Sequence, residues 1–214
     1  MSSSGKDAPT PLSVEFEDLD SGQQKVLKDV IQFCLTKIPA AKEELNRALV
    51  RPSPKVFRHF KINSTESSDK LRLRKIISNY NRIEGVLLGR EKVRYDGERT
   101  GPYFVGSVLA YVRSLGPLDK GETGEIKIVK PEFMNAPFEK KARTIIHEIA
   151  HRFVGIKGEE YYGESMRIEI SKEQAIDNAD SYANFAIEKA RPPSLRSRIQ
   201  PSLKRPTARG QSRR

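Results

Sequence analysis

The stretch Phe138–Val154, FEKKARTIIHEIAHRFV, limits the fold more than any other part of this 214-residue chain. Phe138, Ala142, Ile145, Ile146, Ile149 and Phe153 recur at helical spacing, which predicts a helix of about 16 residues with one apolar stripe. His147, Glu148 and His151 fall on a second stripe. Such a helix must be covered by other elements on its apolar side and left accessible on the other. Just upstream, EIKIVK alternates Ile126 and Ile128 with polar residues and predicts a short strand with one buried face. A small sheet therefore accompanies the helix.

The rest of the chain supplies the covering layer. Leu27, Val30, Ile31, Cys34 and Ile38 predict a helix over about 22–37, capped by Ser21 and interrupted by Pro39. A second short helix follows in AAKEELNRALV, and RPSPKVFRHF begins with turn residues and holds another helical turn or two. After the polar connection INSTESSD, residues Leu73, Ile76, Ile77, Tyr80 and Ile83 line one side of a helix over about 68–84. Between 92 and 116 the β-favouring residues and the Asp96-Gly97 pair predict a hairpin and a following strand. PEFMNAP reads as a connection and MRIEIS as a strand. Ser171 and Gln174 form a capping box for a last helix that runs on through NADSY to about residue 190.

Composition sets the limits. With 36% hydrophobic and 31% charged residues the chain suits one domain with polar ends. Residues 1–20, rich in Ser, Pro and acids, are expected to be disordered, the domain to span 21–190, and 191–214 to form a disordered Pro/Arg/Ser tail. That tail carries eight Lys/Arg and no acid, so much of the net charge of +11 resides there. It is a candidate contact for polyanions, without aromatic residues to stack bases. No apolar run is long enough to span a membrane, and no apolar signal-peptide core precedes the domain. The expectation is a monomer that stays in the cytosol or leaves by a leaderless route, as an effector or toxin. Cys34, the one cysteine, is read as core packing. His59 is read as a surface or partly buried histidine.

The motif His147-Glu148-Ile149-Ala150-His151 carries chemistry. Residues four apart share a helix face, so both imidazoles can present nitrogens to one point, a donor pair suited to zinc with two positions left open. Glu148 is turned about 100° from His147, where it can take a proton from a zinc-activated water without ligating the metal. A third ligand must come from beyond the helix. Gly155 supplies the stop and Gly158 a second turn point, after which Glu159, Glu160 and Glu164 are all within reach. On these residues alone the reading is a zinc hydrolase acting on peptide bonds.

HEIAH, a short Gly-containing loop, an acid three residues before Tyr162-Gly163, and then NADSYANFA resemble the aspzincin metallopeptidases, the family of deuterolysin and the lysine-specific metalloendopeptidases. The resemblance covers roughly residues 70–190. It implies an α+β, zincin-like fold, helix-rich with a small sheet beside the HExxH helix. It implies a zinc endopeptidase acting on protein or peptide substrates, with His147 and His151 as metal ligands and Glu148 as general base. Anchoring on Tyr162-Gly163 places Glu159 on the family's ligating aspartate and Tyr162 on its oxyanion-donating tyrosine. Asn178, Asp180, Ser181 and Tyr182 match the segment beside the family's active site, where Asp180 is the candidate substrate contact; a helix-capping or ligand-orienting carboxylate is the other reading of it. Two departures are plain. Glutamate stands for aspartate at 159, and Ala183 stands where lysine-specific members hold an acid. An inhibitor or immunity protein is a further expected partner. The rival expectation is an inactive zincin-fold binding module whose Arg-rich tail contacts nucleic acid or acidic surfaces.

Overall fold

The computed structural model describes residues 14–63, 65–99, 108–113, 123–157 and 170–188. The order is β1 (Val14–Glu17), α1 (Ser21–Ala48), α2 (Pro54–Phe60), α3 (Ser67–Leu87), β2 (Val93–Glu98), β3 (Ala110–Tyr111), β4 (Gly124–Val129), α4 (Lys130–Asn135), α5 (Phe138–Ile149), a π-helical turn (Ala150–Val154), α6 (Lys172–Ile176) and α7 (Ala179–Ile187). The expected architecture holds: a helix-rich α+β fold with one small mixed sheet. No helix among the described residues is long and apolar enough to cross a membrane.

The sheet runs β1-β2-β4-β3, with β1, β2 and β4 parallel and β3 antiparallel to β4. It corrects two expectations. The N-terminal segment is ordered from Val14, not from residue 21, because Val14 and Phe16 alternate with acids at strand period. Phe16 stacks on Tyr95 at 6.0 Å, and Glu17 meets Arg94 at 3.0 Å, so acids that suggested disorder serve the pairing. Asp96-Gly97 is not a hairpin turn either; it lies inside β2. A Cβ on Gly97 would lie 2.5 Å from the Asp18 carbonyl oxygen and 2.7 Å from Leu19 Cδ2, so glycine is required there for close approach of the chain leaving β1. Gly97→Ala should therefore destabilise the fold by about 1–3 kcal/mol, read by urea denaturation. A shift under about 0.5 kcal/mol would mean that the Asp18–Leu19 segment yields freely.

On β4, Ile126 and Ile128 enter the core as expected. Lys127 on the other face is also buried, held by Asp96 and by Glu125 at 2.9 Å. The next segment, PEFMNAP, is not a plain connection: Pro131 in the first turn and buried Phe133 make α4.

α1 is one helix of 28 residues with Pro39 inside it, where a break was expected. The buried stripe Ile31, Cys34, Ile38, Ala41, Leu45, Ala48 continues in steps of three and four straight past the proline. An interior proline costs about 3 kcal/mol, which burial of Ile38 and Leu45 offsets at about 1.5–3 kcal/mol each. Pro39 itself is exposed, on the side of the helix away from the core. The cap is Asp20 rather than Ser21, since Asp20 and Gln23 exchange side-chain and backbone bonds of 2.8 and 3.1 Å. Cys34 is buried, its thiol donates to the Ala142 carbonyl at 3.6 Å, and burial pushes its pKa up to about 12.

The last expected helix is two. The Ser171–Gln174 capping box starts α6 as foreseen, but the chain breaks at Asp177, and Asn178 caps α7 by accepting from the Asp180 N–H at 3.0 Å. The expected strand MRIEIS falls almost wholly outside the described residues, as does the tail from Arg191.

His59, expected at the surface or partly buried, is buried, with Nε2 2.7 Å from Glu188 Oε2, and Arg58 also binds Glu188. Burial holds this imidazole below its ordinary 6.5, outweighing the pull of Glu188. The sign follows. The unfolded chain takes up a proton at His59 as pH falls below about 6.5 while the folded chain does not, so stability is lost from there downward. Glu188, held below its ordinary range by His59 and Arg58 despite burial, adds a second loss at lower pH. Melting temperature should fall between about pH 6.5 and 5, and His59→Gln should flatten that fall. Parallel curves for the two proteins would exclude this pair as the source.

Candidate metal centre and active site

α5 packs between α1 and α7, burying Ala142, Ile145, Ile146 and Ile149, and this fixes where its polar stripe points. His147, Glu148 and His151 are each only 5–6% exposed. The two imidazoles meet edge to face, ring centroids 4.6 Å apart, with Nε2 3.0 Å from Nε2.

The outer nitrogens decide the protonation. His151 Nδ1 lies 2.7 Å from the Ile156 carbonyl oxygen, which can only accept, so Nδ1 carries the proton. His147 Nδ1 lies 2.8 Å from Asp180 Oδ1 and donates to that carboxylate. In the neutral ring, an Nδ1–H leaves the Nε2 lone pair free, and both Nε2 atoms aim at the same point. Two lone pairs facing each other across 3.0 Å repel unless a cation lies between them. Two imidazoles on one tetrahedral zinc hold their nitrogens roughly 3.3 Å apart, so the pair needs to open by only a few tenths of an ångström. The donor set fits zinc.

Asp180, the candidate substrate contact, thus has its carboxylate against His147 and is 9% exposed. Tyr182, in the same segment, is wholly buried; its hydroxyl binds Asn79 at 2.7 Å and the Ile176 carbonyl at 2.9 Å, so it braces α3 against α7. Glu159, Glu160, Tyr162 and Glu164 lie outside the described residues. Among the described residues no third His, Cys, Asp or Glu completes a ligand cluster. Sequence reasoning missed the Ile156 carbonyl, because every residue has one and nothing in the side-chain pattern marks it. It also missed the π turn in which His151 sits.

The model of the aspzincin family, described as lysine-specific metallo-endopeptidase, matches residues 50–187, more than half of the chain. The chain belongs to the aspzincin family. The match begins about 20 residues earlier than the motifs alone suggested, so α2 and α3 are part of the aspzincin unit. A zinc peptidase from Grifola frondosa shares the fold, with a TM-score of 0.59, 20% identity, and coverage of 79% of this chain and 96% of that one. No curated protein matches the chain. As an aspzincin it is a metallopeptidase of protein or peptide substrates, and zinc is its cofactor.

Proposed function

We propose that this aspzincin is an endopeptidase whose active centre is built on His147, His151 and Glu148. The convergence of two Nε2 lone pairs at 3.0 Å, each fixed from behind through its Nδ1, is the observation that carries the reading. His147, His151 and Glu159 would hold the zinc. When bound, it supplies Lewis acidity that polarises the scissile carbonyl and eases deprotonation of water.

The chain's own groups do the rest. Glu148 accepts the proton that the attacking water loses as its oxygen bonds to the carbonyl carbon. It then delivers that proton to the amide nitrogen as the C–N bond breaks. Tyr162 donates its hydroxyl to the oxyanion that develops on the carbonyl. Asp180 keeps His147 in the tautomer that faces the metal. Ala183, buried in this segment, brings no charge for a substrate lysine, so this position supplies no lysine preference.

Incubation with casein in zinc-replete buffer, with fragments sequenced by mass spectrometry, tests the reading. Internal cleavage at mixed residues is expected. Intact casein, together with a salt-sensitive nucleic-acid shift lost on deleting residues 191–214, would favour the inactive binding module instead.

A further inference from the structure

We propose that Gly155 is a positioning residue for the metal centre: its left-handed backbone brings the Ile156 carbonyl onto His151 and so sets the tautomer and direction of that ligand. The inference rests on the reading of His147 and His151 as the zinc pair.

The frame is visible bond by bond. α5 is regular through Ile149, and the backbone then widens into the π turn Ala150–Val154. Gly155 ends it at φ 81°, and its N–H bonds to the Ala150 carbonyl. The Ile156 N–H reaches the same carbonyl at 3.2 Å. The chain has therefore turned back on itself, and the Ile156 carbonyl points at His151 Nδ1, 2.7 Å away. Two further contacts keep it there. The Ile156 side chain is buried at 4%, and the following Lys157 N–H bonds to Asp177 Oδ1 at 3.3 Å. Asp177 ends α6 three residues before Asp180, the carboxylate on His147. The break between α6 and α7 thus braces both imidazoles, one through a side chain and one through a backbone carbonyl.

A residue with a Cβ is strained at φ 81°, except that asparagine tolerates the left-handed region. Gly155→Ala should move the carbonyl, release Nδ1 and let the ring populate the other tautomer, in which Nε2 carries the proton and cannot ligate. Loss of an outer partner of a ligating histidine weakens metal binding by about 10–100-fold. Asparagine, which needs no backbone change, should stay within about threefold of wild type.

The test has two readouts on the full chain. Imidazole ¹⁵N–¹H correlation on the metal-free protein reports the His151 tautomer, and competition with a chromogenic chelator reports the zinc Kd. Wild type and Gly155→Asn should show Nδ1–H at His151, and Gly155→Ala a mixture with a raised Kd. Equal zinc affinity in wild type and Gly155→Ala, or equal losses in the Ala and Asn variants, overturns the proposal. So does an Nε2–H tautomer in the wild type. If Gly155→Ala does not fold, the wild-type tautomer and the Asn variant still decide. A wild type that has the expected tautomer yet binds no zinc would instead sink the zinc-pair reading and leave the backbone assignment standing.

Discussion

Replacing Glu148 with alanine should leave zinc in place and lower kcat on a peptide substrate by about 10²–10⁴-fold, the range that general acid–base catalysis contributes. The two halves of that result have separate causes. Metal retention follows from the ligand geometry. His147 and His151 are held by Asp180 and the Ile156 carbonyl, neither of which involves Glu148. The rate loss follows from proton bookkeeping: without a carboxylate one position from His147, the attacking water has nowhere to put its proton and the leaving amine has no donor. Glutamine, close in shape but unable to accept the proton, should fall as far as alanine, which separates chemistry from packing. The check is kcat, zinc content and circular dichroism on wild type, Glu148→Ala and Glu148→Gln together. Near wild-type turnover in either variant, with zinc still bound, would remove Glu148 from the mechanism.

The second large effect is expected at Glu159. As a direct ligand its loss should weaken zinc binding by more than the roughly 10–100-fold that losing an outer partner produces. Asp180, which bonds to His147, supplies that internal standard. The expected order of zinc Kd is Glu159→Ala weakest, Asp180→Ala intermediate, and Glu160→Ala near wild type. If the chain is extended there, adjacent side chains point to opposite sides and only one of Glu159 and Glu160 would face the metal. Glu159→Asp should retain part of the affinity, since the family's own ligand at that position is an aspartate. If Glu160→Ala loses zinc and Glu159→Ala does not, the register shifts by one residue, and the role given to Tyr162 shifts with it.

The parts of this molecule that were legible in the sequence are those set by side-chain period. The stripe Phe138, Ala142, Ile145, Ile146, Ile149 and Phe153 announced a helix buried on one side; the structure buries all of it except Phe138, which is 42% exposed at the helix start. Ile126 and Ile128 announced a strand, and Leu73, Ile76, Ile77, Tyr80 and Ile83 a helix face; all are buried except Ile77, which is partly buried. What failed were punctuation signals that tertiary packing overrode. Pro39 signals a stop, but the apolar stripe beyond it outweighs one lost backbone bond. Asp96-Gly97 was read as a turn, but the glycine answers a close approach by Asp18, far away in sequence. Asn178 was passed over inside a long helix, although a side chain that accepts from the N–H two residues on is what starts a new one.

The site divides in the same way. That the imidazoles of His147 and His151 would meet could be read, because i, i+4 spacing is a local rule. That Asp180 orients His147 is a contact across 33 residues, and spacing alone left it between two roles. The Ile156 carbonyl was beyond reach, since a backbone acceptor has no letter in the sequence.

The most direct test of the central claim is removal and return of the metal on one sample. Wild-type protein is stripped with a chelator, dialysed, and assayed for peptide cleavage and metal content before and after stepwise addition of zinc, with His147→Ala and His151→Ala carried alongside. The account predicts that cleavage vanishes with the metal and returns in proportion to added zinc, reaching its maximum near one zinc per chain, and that both histidine variants take up little zinc and stay inactive. Full cleavage by the stripped protein, or zinc-dependent cleavage that survives loss of either histidine, would contradict it.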